Sequence, residues 1–63
     1  MSFGENLRNL RKERGLSIKE LAEKSGVSAT QISYYEHNHF IPYAKNVYKL
    51  SVALGCSYED LNR

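Results

Sequence analysis

The chain has 63 residues, with nine Lys and Arg against seven Asp and Glu for a formal charge of +2, and a single cysteine. A domain this small buries only about 60% of the surface its unfolded chain exposes, which excludes a deep substrate pocket or a second lobe and makes a surface function the default. Cys56 has no second cysteine to bridge to, and no stretch reads as a leader peptide or approaches the roughly 20 apolar residues of a membrane span. The expectation is one cytoplasmic domain over residues 1–63, with no membrane association, cofactor, metal or small-molecule ligand.

Ser2 followed by Glu5 opens the first predicted helix, about 3–14, because a Ser hydroxyl can accept from the amide three residues on while that side chain reaches back. Phe3, Leu7 and Leu10 share one face of it, and Gly15 is placed to end it in the left-handed conformation. Ser17 and Glu20 repeat the signature before a second helix, about 18–25, with Leu21 and Ala22 inward and Gly26 in the gap behind it. Ser28 and Gln31 open a third, about 29–36. Pro42 biases Ile41 toward extended backbone and suits the entrance of a fourth, about 43–54, whose inner stripe is Val47, Leu50, Ala53 and Leu54 and whose stop is Gly55. Ser57 and Asp60 mark a short fifth helix, about 58–62. Leu16, Val27 and Leu61 complete the expected core of an all-α, compact five-helix fold.

At about 100° per residue, with Ile32 pointing inward, Tyr35 lies about 60° to one side and Glu36 about 40° to the other, while Tyr34 points about 160° away. Thr30, Ser33 and His37 join Tyr34 outside, with Ala29 at the shoulder. An exposed helix face is ordinarily filled with Lys, Glu, Gln or Arg; small and hydroxylated residues instead suit close approach to a polar groove. The second and third helices with their tight Gly26-Val27 turn have helix-turn-helix spacing, in which the second helix of the pair enters the DNA major groove.

From LRNLRKERGLS through IKELAEKSGVSATQISYYE to PYAKNVYKLSVALGCSYEDL, the sequence resembles the Cro/repressor, or xenobiotic-response-element, family of helix-turn-helix domains. That resemblance implies double-stranded DNA as partner, a regulatory and repressive role, and base contacts from Ser28, Ala29, Thr30, Ser33 and Tyr34. Phosphate contacts are expected from Lys19, Gln31, His37, Asn38, His39, Tyr43 and Lys45, which flank that face. It also implies a structural ion pair between Arg11 and Glu36. The family commonly joins two subunits around its last helices, so Cys56, Ser57, Tyr58 and Leu61 are the expected homodimer interface, with two third helices about 34 Å apart on an inverted-repeat operator. Ile18 departs from the family, which usually has a Gln there that reaches a phosphate. With few fixed cations on the face, binding is expected to be weaker per subunit and less salt-sensitive.

Two other functions are compatible with parts of the sequence. His37-Asn38-His39 spells a nuclease motif, but in those enzymes the three residues are scattered over a strand-and-helix metal site, so no catalytic residue and no enzyme is expected. A protein-interaction module of the same fold, antitoxin-like or adaptor, is the alternative, with Tyr43, Tyr48 and Tyr58 as its exposed aromatics. Cys56 is expected to be a buried, inert thiol.

Overall fold

The computed structural model describes residues 2–38 and 42–62, with Asn38 described by its backbone alone. The expected phosphate residue His39, the extended backbone expected at Ile41 and the side chain of Asn38 therefore lie outside the described residues. Five helices follow in order: α1 (Phe3–Glu13), α2 (Ile18–Ser25), α3 (Ala29–Asn38), α4 (Ala44–Leu54) and α5 (Tyr58–Leu61). Among the described residues there is no strand, and no helix is long and apolar enough to cross a membrane.

Local chemistry sets the helix starts. Ser2 with Glu5, Ser17 with Glu20 and Ser57 with Asp60 each form the reciprocal pair of capping bonds, satisfying two amides that would otherwise lack an acceptor. The bonds from Ser17 hold the Glu20 carboxyl below its ordinary pKa. Ser28 caps α3 by accepting from the Gln31 amide at 3.1 Å, and its hydroxyl lies 3.4 Å from Gln31 Oε1. α4 begins differently. Tyr43 is its N-cap without any side-chain cap bond, because Pro42 and Tyr43 offer no short acceptor, so the helix starts one residue later than expected. At the far end of α2, Gly26 takes φ 78°, a left-handed turn that L side chains rarely adopt, and this turn points the chain into α3.

α1 packs on α3 and α5, α2 on α3 and α4, and α4 on α5. The core between them is Phe3, Leu7, Leu21, Val27, Ile32, Tyr35, Val47, Leu50, Leu54 and Leu61, with Leu10, Leu16, Ile18, Ala22, Ala53 and Cys56 packed against it. Two polar bonds across the chain close it: buried Asn6 donates to the Leu61 carbonyl at 3.4 Å, and Arg14 Nε donates to the Leu54 carbonyl at 2.8 Å, taking up one of the last carbonyls of α4.

Leu61 requires a correction. It was expected at a subunit interface, but it is completely buried within its own chain, where α5 closes the bottom of the core. A side chain with no exposed surface has nothing left to offer a second subunit.

Candidate nucleic-acid interface

α3 is fixed from behind. Arg11 donates from Nε to Glu36 Oε2 at 2.7 Å and from Nη2 to Glu36 Oε1 at 3.1 Å, the two parallel bonds of a guanidinium fork on a carboxylate. Its Nη1 donates to the Leu16 carbonyl at 2.8 Å. The two side chains are 11% and 1% exposed, so the pair lies almost entirely inside, and the Glu36 bond holds the Arg11 pKa above its ordinary value. Tyr35, also buried, packs edge-on against Phe3 with ring centres 6.2 Å apart, and its hydroxyl accepts from Asn46 at 3.0 Å. The inner face of α3 is thus tied to α1 and α4, and the helix also packs on α2.

Its outer face is left open. Ala29, Thr30 and His37 are exposed, Ser33 is half-buried and Tyr34 is 51% exposed, so adjacent tyrosines in the chain face opposite environments. With Ile18 at the start of α2, these five residues line one shallow concavity of about 650 Å³, wide open to solvent. A second hollow of about 320 Å³ shares Thr30 and Tyr34 and continues past Gln31, Tyr35, Pro42 and Asn46 to Tyr43 at the head of α4. The surface therefore runs unbroken from the N-terminus of α2, along α3, to the uncapped N-terminus of α4. Helix N-termini carry partial positive charge and amides that lack acceptors, which suits anions.

The expected base-contact residues divide within this surface. Ala29, Thr30, Ser33 and Tyr34 lie together in the first hollow, whereas the Ser28 hydroxyl is engaged in capping α3. Of the expected phosphate residues, Gln31 and Tyr43 line the second hollow and His37 the first. The His37 Nδ1 lies 2.8 Å from the Ser33 carbonyl, so Nδ1 carries the proton and Nε2 can donate to a phosphate only in the charged ring. Lys19 and Lys45 are exposed but line neither hollow.

Cys56, expected to be buried, is half-buried, and that burial pushes its thiol pKa up. Ser57 caps α5 and Tyr58 is partly exposed. On α4, Tyr48 and Val52 are each about three-fifths exposed, one helical turn apart. Val52 was missed from the sequence although a signal existed: two residues from the inward Leu50 puts it about 160° away from the core.

A family model described as a helix-turn-helix domain matches residues 4–62. The chain is 48% identical over 61 residues to the HTH-type transcriptional repressor RghR of Bacillus subtilis, an alignment that takes in 95% of this chain and 45% of that protein. It thus spans less than half the length of that relative. Among solved structures, it is similar to the biofilm master regulator SinR in complex with DNA, with TM-score 0.88 and 37% identity over 94% of this chain and 95% of the other. It is also similar to the P22 c2 repressor in complex with a synthetic operator, with TM-score 0.89 and 33% identity over 100% of this chain and 96% of the other.

Proposed function

This chain belongs to the helix-turn-helix domain family, in its Cro/repressor type, and from that premise we propose that it is a DNA-binding regulator of transcription, acting as a repressor. α3 lies in the major groove of double-stranded DNA. The observation that carries this reading is the open surface over Ala29, Thr30, Ser33 and Tyr34, presented by a helix whose inner face is anchored by Arg11 and Asn46. Relatives that are transcriptional repressors, and similar structures solved with DNA or operator bound, support it. Tyr43, Gln31 and the uncapped start of α4 meet phosphates on one flank of α3, and the N-terminus of α2 meets them on the other.

The test is to incubate the purified chain with random duplex DNA and to sequence what it retains at two salt concentrations. An enriched inverted repeat with half-sites one helical turn apart is expected; salt-sensitive retention without enrichment would end the sequence-reading part of the proposal. On the enriched site, Tyr34→Ala is expected to weaken binding roughly tenfold or more, the size of one lost aromatic contact to a base, with the thermal midpoint unchanged within a few degrees. Unchanged affinity would take Tyr34 out of the interface.

One subunit reads too few base pairs for a genomic site, so the active species is a homodimer. Tyr48 and Val52, exposed one turn apart on α4, together with the partly exposed Tyr58 are the apolar residues that a second copy covers, in place of the buried Leu61. Val52→Glu places a charge there without touching the core. It is expected to leave folding intact, shift the chain to a monomer in sedimentation and lower affinity for the full inverted repeat much more than for a single half-site. A Val52→Glu chain that sediments as wild type would move the interface elsewhere.

A further inference from the structure

Ile18 is an odd residue for its position. It is the first residue of α2, at a helix end expected to face a polyanion, and its side chain can neither donate to a phosphate nor carry charge. It is not simply a core residue either. It packs against the core cluster while the rest of it lines the hollow formed with Ala29, Thr30, Ser33, Tyr34 and His37. Packing on one side holds the side chain in place, so presenting the other side costs little conformational entropy on binding.

We propose that Ile18 and Ala29 form an apolar seat for the 5-methyl group of a pyrimidine, making Ile18 a specificity-determining residue of the DNA site. The inference rests on the DNA reading above and identifies the chemical feature this hollow selects. Edges of the base pairs in the major groove are polar except for one group, the C5-methyl of thymine; 5-methylcytosine carries the same methyl. In this hollow, Ile18 and Ala29 are the purely apolar side chains, and Thr30, Ser33 and Tyr34 bring hydroxyls to the same surface. A hydroxyl can donate to the O4 of thymine or accept from the N4 amine of 5-methylcytosine, so methyl and neighbouring polar atom are matched together.

The experiment starts from the operator recovered by selection. Each thymine of a half-site is replaced singly by uracil and each cytosine by 5-methylcytosine, changes that remove or add only the methyl, and affinities are read by fluorescence anisotropy for wild type, Ile18→Gln and Ile18→Val. Wild type is expected to prefer the methylated base about fourfold at one pyrimidine in each half-site, the partition of one methyl-sized group out of water. That preference should fall to within about twofold in Ile18→Gln and be reduced in Ile18→Val, which removes one methyl from the seat and keeps the fold even if the Gln variant does not. Which pair responds, thymine against uracil or 5-methylcytosine against cytosine, tells which base supplies the methyl. Two results overturn the proposal: no methyl-sensitive position in wild type, or full sensitivity retained in both variants, which would assign the methyl to α3 alone. A chain that enriches no operator fails at the earlier step: it ends the sequence-reading part of the DNA proposal, and with it the methyl seat, before any base is substituted.

Discussion

Replacing Glu36 with alanine is expected to cost about 3–5 kcal/mol, the loss that follows when one member of a buried ion pair is removed and the other charge is left behind. The stranded group would be Arg11, whose Nε and Nη2 both lose their acceptor while only Nη1 keeps its bond to the Leu16 carbonyl. A chain of this length has a total stability of roughly 3–9 kcal/mol, so much or all of it goes with this one carboxylate. Urea unfolding followed by circular dichroism measures it. The double variant Arg11→Met with Glu36→Leu, which removes both charges and fills the space, is expected to regain most of the loss. A Glu36→Ala chain within about 1 kcal/mol of wild type would show that the fork contributes little, since that is the range of an exposed ion pair. Loss of the pair also frees the end of α3 from α1, so DNA affinity should fall even where enough folded protein remains to measure.

Gly4→Ala has the second largest expected effect, and here two physical arguments predict opposite signs. Gly4 is inside α1, where alanine is favoured over glycine by about 1 kcal/mol on helix propensity alone. A Cβ at Gly4, however, would lie 2.5 Å from the Tyr35 carbonyl oxygen and 2.9 Å from that of Glu36. Both atoms are backbone and cannot rotate aside, so α1 and α3 must separate. They belong to the last turn of α3 and lie against the first turn of α1. The positive end of one helix dipole therefore sits against the negative end of the other, and separation weakens that attraction together with the packing of Phe3 and Leu7. Overpacking costs about 1–3 kcal/mol and occasionally more, which outweighs the propensity gain. A thermal melt decides the sign: a lower midpoint supports the close crossing, and a higher one means that α1 shifts at little cost.

The helix starts were legible where their causes are local, whereas helix ends were less so: α3 runs to Asn38, two residues beyond its expected end. Each capping pair spans three residues, so Ser2 with Glu5 or Ser17 with Glu20 announces a helix start whatever the rest of the chain does. Periodicity placed Leu7, Leu21, Ile32 and Leu50 inside and separated Tyr34 from Tyr35, because which side of a helix a residue occupies follows from its rotation per residue. α4 was read one residue early, since Pro42 is compatible with more than one register at a helix entrance. The Arg11–Glu36 pair came from the family pattern; no local rule joins residues 25 apart.

By itself, then, the sequence determined five helices, four of them opened by a capping serine, their inner and outer faces, and the helix-turn-helix spacing, all of them consequences of interactions over a few residues. Only the tertiary structure decided which helix ends meet, and with them the close crossing at Gly4, the bond from Asn6 to a carbonyl 55 residues away, and the enclosure of Leu61. It likewise decided that Ile18, eleven residues before Ala29, shares a hollow with it. The physical reason is that rotation about a helix axis is a property of the local backbone, whereas the approach of two helices depends on the shapes of every side chain packed between them.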